Sequence, residues 1–295
     1  MALKDDVIRF TNATYRENVS LSEKTTIGVG GKARFYLSID SLIDIKRTID
    51  ILNDYGIKYK LIGKGSNLLC SDNGYNGAII SYRHDRIYKD GEYIVAFSGA
   101  NLNNLISFCR AEGYSGSESL FGIPATVGGA IVNNAGAFSF NVSDYLTEVY
   151  VINNGKLETI NKNDCNFSYR NSIFKNNGAF IYKARFKFPK KDKKEITSTI
   201  KEIVRLRKLK FPTGKTFGSV FKNPERYSAG QLIEKCGLSG YTYGGAKISD
   251  KHCNFIINEN ATASDIKYLI ETVKNRVYKD FNILLKEEVE YVGDF

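Results

Sequence analysis

The stretch from Phe121 to Ala137, reading FGIPATVGGAIVNNAGA, constrains this chain more than any other, because Gly122, Gly128, Gly129 and Gly136 fall within it and most of its other residues are small. Glycine loses more backbone freedom on folding than any other residue. A run so rich in it therefore implies backbone in unusual conformations or pressed close to a ligand. Such a run also leaves backbone amides against which phosphates can lie. A second glycine turn, Gly63-Lys64-Gly65-Ser66-Asn67-Leu68-Leu69, comes earlier. Two such turns, each following a β-like run and about half a domain apart, suit the two ends of one long dinucleotide.

A chain of 295 residues with 42% hydrophobic content has material for roughly two ordinary cores. Its N-terminus carries Asp5 and Asp6 where a signal peptide would need an apolar run, and no segment reaches the roughly 18 apolar residues of a membrane span. The expected compartment is the cytoplasm. Five cysteines, odd in number and never spaced as CxxC, argue against a disulfide framework and a structural zinc site, and His84 and His252 stand alone, so no metal is expected. The net charge of +10 suits nucleic acid or an enzyme whose ligands all carry phosphates. No nucleic-acid motif accompanies the basic run from Lys187 to Lys210, which reads as a solvated linker and helix face.

Taken in order, residues 1–24 read as helical and then irregular, Thr25–Gly31 as a turn and Ala33–Ile39 as a strand. Leu42, Ile45, Ile49 and Leu52 have helical spacing between a cap at Asp40 or Ser41 and a stop at Gly56. Strands are expected at 58–62, 78–82 and 93–98, and a helix runs from its Asn101 cap to Gly113. Asn153-Asn154-Gly155 between two apolar runs predicts a hairpin, and 179–188 another strand. Pro189–Glu195 reads as a linker. Helices follow at about 196–209 and 228–236, then a longer one capped by Thr262 with Asp265 three residues on, and a closing strand at 283–292. Short strands, hairpins and segregated helices make an α+β chain. The fingerprint GxGxxG is missing from both glycine stretches, which disfavours a Rossmann domain.

From about Thr25 to Gly293 the chain resembles the UDP-N-acetylenolpyruvoylglucosamine reductases (UDP-N-acetylmuramate dehydrogenases), flavoenzymes that complete UDP-N-acetylmuramic acid for bacterial cell walls. GKGSNLL, GIPATVGGA, NAGA, SYRNSIFK, GSVFKNP, AGQLIEKCGL and the terminal EEVEYVG carry the resemblance, in the family's order. It implies an N-terminal segment (1–24), an FAD-binding domain of the vanillyl-alcohol-oxidase (PCMH) type (25–190) and a smaller α+β substrate-binding domain (191–295). It implies FAD as cofactor, NADPH as co-substrate and UDP-N-acetylglucosamine enolpyruvate as substrate. A monomer is expected, with no nucleic-acid or membrane partner. Only 49 positions separate Arg170 from Ser219, too few for the tyrosine-bearing insertion of the longer family class, so the chain resembles the shorter class.

By the same resemblance, catalysis falls to Arg170, Ser219 and Glu288. Hydride addition to the enolpyruvyl double bond leaves negative charge beside the carboxylate. Arg170 would grip that carboxylate and the developing enolate in two-pronged geometry. Ser219 would protonate the carbon and Glu288 would assist. Tyr169, Lys222 and Asn223 match substrate-binding positions. Gly63, Gly65, Ser66, Asn67, Leu68, Gly122, Ile123, Gly128, Gly129, Asn134 and Gly136 match the flavin site, backbone amides giving most of the phosphate contacts. Read singly, Arg170 is half of an ordinary ion pair and Ser219 a loop hydroxyl. Strand alternation puts Glu287 on one face and Glu288 on the other, so spacing alone leaves open which carboxylate enters the site. The chain departs from the family pattern at Ala125, at Ser139-Phe140 after NAGA, at Ser239, and at Glu287 and Glu290.

Overall fold

A computed structural model describes residues 3–295. In chain order the first elements are α1 (Leu3–Phe10), β1 (Thr14–Ser20), β2 (Lys32–Ile39), α2 (Leu42–Asp54), β3 (Tyr59–Leu61), β4 (Leu68–Cys70), β5 (Tyr75–Tyr82), β6 (Ile87–Asp90) and β7 (Tyr93–Phe97). There follow α3 (Leu102–Glu112), α4 (Val127–Val132), β8 (Gly136–Ala137), β9 (Phe140–Asn141), β10 (Leu146–Asn153), β11 (Lys156–Asn161), β12 (Phe180–Phe186) and α5 (Lys193–Lys210). The chain ends with α6 (Ala229–Lys235), β13 (Thr242–Tyr243), β14 (Ala246–Ile248), β15 (Ile256–Asn258), α7 (Ala263–Phe281) and β16 (Glu290–Val292). This is an α+β chain.

These elements form two compact units, neither continuous in sequence. Among the described residues, the first comprises 3–16, 35–63 and 77–207, and the second 17–34, 64–76 and 208–295. The first has two cores. A five-stranded antiparallel sheet, β11-β10-β12-β7-β6, packs Val149, Val151, Ala184 and Phe186 against Leu105 and Ile106 of α3, Ile131 of α4 and Ile196 and Ile200 of α5. The other core joins α1 and α2 to Phe35, Leu37, Ile39, Ala78 and Ile80 of β2 and β5, in a sheet ordered β1-β2-β5-β3. The second unit is built on α7, whose Ile266, Leu269, Ile270, Val273 and Val277 share one core with Phe217, Phe221, Leu232 and Ile233.

Local signals hold where the partner lies a few residues away. Ser41 caps α2, its Oγ accepting from Asp44 N at 3.0 Å, and Asn101 caps α3 through Asn103 N. Gly113 ends α3 at φ 73°, left-handed backbone that glycine adopts without a Cβ clash. Thr262 and Asp265 form a reciprocal capping box on α7. Asn154 and Gly155, at φ 48° and 74°, make the two-residue turn between β10 and β11.

Where the partner is distant the structure differs from the pattern. Residues 14–20 and 87–90 are strands β1 and β6. The run 189–195 is paired, Lys191 N donating to Gly113 O at 3.0 Å, and α5 begins within it. The closing strand shrinks to β16, because its regular partner is the three-residue β4, to which it runs parallel.

Candidate active site

In the first unit, Ser168 and Asn171 each donate a backbone hydrogen bond to the other at 3.1 Å, closing a turn on Tyr169 and Arg170. Arg170 has φ 53°, at a turn position glycine or asparagine usually takes. Such a conformation costs a residue with a side chain about 1–3 kcal/mol and persists only where its surroundings impose it. Those surroundings are visible. Arg170 Nη2 donates to Gly136 O at 2.6 Å, its guanidinium carbon lies 5.1 Å from the Tyr169 ring centroid, and the buried Ser172 Oγ ties the next residues to Val132 O at 2.7 Å. A Cβ on Gly136 would stand 2.9 Å from Arg170 Nη1 and 2.3 Å from Asn141 Oδ1, so only glycine fits there.

Three more residues beside Arg170 share its backbone class. Phe138 and Ser139, at φ 51° and 63°, form the two-residue loop joining β8 to β9, and Asn134 has φ 42°. Asn134 is 5% exposed, and its Nδ2 donates to Ser168 O at 3.0 Å. Its Oδ1 accepts no hydrogen bond among the described residues. A buried acceptor left in that state costs about 1–3 kcal/mol, so this one suits a donor supplied by a ligand.

The two glycine stretches meet in this unit, since a Cβ on Gly63 would lie 2.4 Å from Thr126 Oγ1. Their amides differ. In the later stretch Gly122 N donates to Asn103 Oδ1 (2.8 Å), Ile123 N to Leu120 O (3.1 Å), Gly128 N to Ser98 O (2.9 Å) and Gly129 N to Thr126 Oγ1 (3.2 Å). The expectation of uncovered amides there is corrected: Gly128 serves close packing, a Cβ on it meeting Ser98 Cβ at 2.8 Å. Among the described residues, the amides of Gly63, Lys64, Gly65 and Ser66 donate no hydrogen bond. The earlier turn therefore offers amides for phosphate oxygens. Taken each within its own unit, the buried acceptor of Asn134 in the first and the amides of Lys64, Gly65 and Ser66 in the second both suit polar groups of a flavin nucleotide.

Gly65, Ser66, Asn67, Leu68, Ser219, Lys222, Asn223 and Glu288 belong to the second unit. Its Ser219 segment runs between two others. On one side Ser219 bridges Phe255 and Val220 N donates to Asn254 O at 2.9 Å; on the other Glu288 N donates to Val220 O and Lys222 N to Lys286 O, both at 2.8 Å. Ser219 and Glu288 are thus neighbours on adjacent extended segments. Asn67 holds the same carboxylate-bearing residue from the earlier glycine turn: its Nδ2 donates to Glu288 O at 2.9 Å and its own carbonyl accepts from Glu290 N at 2.9 Å. Leu68 pairs with Glu290 in the parallel ladder. Asn223 Oδ1 accepts from Ala229 N at 2.9 Å, at the start of α6.

Of the two neighbouring carboxylates, Glu287 is engaged by α7. Glu287 Oε1 accepts from Lys274 Nζ at 2.8 Å, and its Oε2 accepts from the Tyr291 hydroxyl. Hydrogen bonding to Glu287 raises the Lys274 ammonium above its ordinary pKa, and burial followed by that same carboxylate raises the Tyr291 phenol. Glu287 is committed to this network.

Sequence reasoning missed Asn254. It is 3% exposed, and both ends of its amide bond to Phe221: Oδ1 accepts from Phe221 N at 2.9 Å and Nδ2 donates to Phe221 O at 2.8 Å. The available signal was one amide side chain inside the apolar run CNFII.

Residues 209–292 match the family described as UDP-N-acetylenolpyruvoylglucosamine reductase, C-terminal domain, and residues 33–161 match the FAD binding domain family. The UDP-N-acetylenolpyruvoylglucosamine reductase of Carboxydothermus hydrogenoformans is 38% identical over 302 residues, covering 99% of this chain and 98% of that relative. That of Aquifex aeolicus is 38% identical, covering 94% and 95%. The crystal structure of UDP-N-acetylenolpyruvylglucosamine reductase from Thermus caldophilus superposes with a TM-score of 0.83 at 33% identity, covering 96% of this chain and all of that one. By identity, coverage and fold together, the chain belongs to the UDP-N-acetylenolpyruvoylglucosamine reductase family and is an FAD-containing oxidoreductase.

Proposed function

We propose that Arg170, Ser219 and Glu288 carry out the chemistry of this chain, with NADPH as reductant and Tyr169, Lys222 and Asn223 binding substrate. The reaction is reduction of the enolpyruvyl group of UDP-N-acetylglucosamine enolpyruvate to UDP-N-acetylmuramate, in peptidoglycan precursor synthesis. Bound FAD supplies hydride transfer to the double bond. The negative charge that then develops beside the substrate carboxylate needs a fixed cation, and Arg170, locked by its turn and by Gly136, keeps its geometry without reorganising. Ser219 delivers the proton to the α-carbon, and Glu288 assists it. A serine is a weak acid, so the proton moves only where the resulting alkoxide is electrostatically supported, a part for which Lys222 of the same unit is suited.

The observation that supports this assignment is the backbone pairing of Glu288 N with Val220 O, which joins the segments bearing Ser219 and Glu288 in the second unit, while the Glu287 carboxylate is engaged by Lys274. The flavin-binding residues are Gly63, Gly65, Ser66, Asn67 and Leu68 of the first turn with Asn134, while Gly122, Ile123, Gly128, Gly129 and Gly136 serve by leaving room for the nucleotide, the amides of the first four of these being engaged within the protein. Residues 25–190 act as the flavin-binding domain and 191–295 as the substrate-binding domain. No helix among the described residues is long and apolar enough to cross a membrane, and the enzyme acts as a cytoplasmic monomer.

Stopped-flow flavin absorbance tests the assignment. Ser219→Ala should leave bleaching by NADPH within about twofold of the unsubstituted enzyme while reoxidation by the enolpyruvyl sugar nucleotide slows by at least about a hundredfold, the range of a lost general acid. Normal turnover in that variant would remove Ser219 from its role.

A further inference from the structure

We infer that Lys274 of α7 is a positioning residue for Glu288: through the Glu287 carboxylate it closes a ring of five side chains that fixes the extended segment carrying Glu288. The inference rests on the reading of Glu288 given above and adds to it residues of α7 that lie outside the motifs carrying the resemblance.

The ring lies wholly within the second unit. Lys267, Glu271 and Lys274 stand at i, i+4 and i+7 on α7, a spacing that brings their side chains to one helix face. Glu271 Oε1 accepts from Lys267 Nζ at 3.0 Å and from Lys274 Nζ at 3.2 Å. Two further bonds leave the helix. Lys274 Nζ donates to Glu287 Oε1 at 2.8 Å, and Lys267 Nζ donates to the Tyr291 hydroxyl at 3.2 Å while lying 4.3 Å from the Tyr291 ring centroid. The Tyr291 hydroxyl in turn donates to Glu287 Oε2, which closes the circuit. Each member is thus bonded to two others, and two ammoniums face two carboxylates. The charge states are held accordingly. Hydrogen bonding to Glu287 raises the Lys274 pKa, burial and then Glu287 raise that of Tyr291, and at Glu271 the bonds from Lys267 and Lys274 outweigh the rise that burial alone would bring.

The ring grips the chain on either side of Glu288, at 287 and 291. The main chain of Glu288 is itself held at both polar groups, its N donating to Val220 O at 2.8 Å and its O accepting from Asn67 Nδ2 at 2.9 Å. Those bonds fix where the peptide lies. The anchored side chains before and after it fix how the segment is rotated about its own axis, and with it the direction in which residue 288 leaves the backbone. A single surface ion pair adds little to stability. A closed network in which the Glu287 side chain is only 16% exposed restricts geometry instead.

The experiment uses the full-length, FAD-loaded enzyme and follows its two half-reactions by stopped-flow flavin absorbance. Lys274→Met and Glu287→Ala open the ring from its two sides. Each should slow reoxidation by the enolpyruvyl sugar nucleotide by about ten- to a hundredfold, the range for a displaced catalytic group, and leave bleaching by NADPH within about twofold. Lys274→Arg, which restores a cation, should recover to within about threefold of the unsubstituted enzyme. In a Glu288→Gln background Lys274→Met should change reoxidation by no more than about twofold, because its effect passes through that carboxylate. Hydrogen exchange read by mass spectrometry should be about tenfold faster over 285–293 in Lys274→Met than in the unsubstituted chain. Equal slowing of both half-reactions would make the ring a clamp on the fold and overturn the inference. Normal reoxidation in Lys274→Met, multiplied losses in the double variant, or unchanged exchange over 285–293 would overturn it as well. If Glu288→Gln alone were reoxidised at the ordinary rate, the reading of Glu288 would fall first and this inference with it.

Discussion

Arg170 keeps a backbone conformation that a glycine would occupy at lower cost, and the difference separates stability from chemistry at a single position. Replacing it with glycine removes a penalty of about 1–3 kcal/mol and also removes the bond from Nη2 to Gly136 O, which contributes about 0.5–1.5 kcal/mol. Arg170→Gly should therefore unfold in urea within about 1 kcal/mol of the unsubstituted protein, or slightly above it. Its reoxidation by the enolpyruvyl substrate should fall by at least about a hundredfold. Equal loss of both would make the arginine a structural clamp, and retained activity would remove it from the mechanism. The candidate residues were legible because each lies in a motif whose order along the chain is informative. The left-handed φ at Arg170 was not, since the contact of its guanidinium is with Gly136, 34 positions earlier in the chain.

At the scale of the element, the segment bearing Ser219 owes its shape to an asparagine and a histidine that no motif named. Asn254 replaces a neighbouring strand for Phe221, and its own backbone N donates to His252 Nδ1 at 3.3 Å. That bond requires Nδ1 to be unprotonated. Burial among Phe211, Phe255 and Gly230 lowers the His252 pKa below its ordinary 6.5. In the unfolded chain the ring takes a proton at the ordinary value, so the unfolded state binds more protons as the solution becomes acidic. The contribution of His252 is accordingly complete above about pH 6.5 and is lost as pH falls from there through the lower folded pKa. The urea midpoint should drop between pH 7.5 and pH 5, and in His252→Phe this part of the drop should disappear; equal drops in both proteins would clear the histidine. Helix caps and the Asn154-Gly155 turn were legible because each partner lies within four residues. Asn254 answers to Phe221, 33 residues away, and β16 to β4, more than 200 away, and no short-range pattern encodes such pairings.

For the whole molecule, discontinuity limits what a linear reading reaches. The second unit gathers residues 17–34 and 64–76 with the C-terminal 88, so Asn67, read as part of a cofactor turn, also fixes the backbone of Glu288. Alternation could not foresee that Glu287 is engaged, because its partner is Lys274 of α7. Composition, by contrast, was informative at this scale. A net charge of +10 has no bearing on which fold forms, but it sets a field that every ligand must cross, and NADPH, FAD and the UDP sugar are all anions. If that field gathers the substrate, its reach should follow the screening length, about 30 Å at 0.01 M salt and about 8 Å at 0.15 M. The kcat/KM for the UDP sugar should then fall several-fold between those two salt concentrations, because capture is screened. The kcat should stay within about twofold, because the residues proposed for the chemistry, Arg170 and Ser219, would act at contact distance on a substrate already bound. A kcat/KM indifferent to salt would assign the excess lysines to solubility alone. A kcat that fell in step with it would place the salt-sensitive charges at the chemistry instead of along the approach.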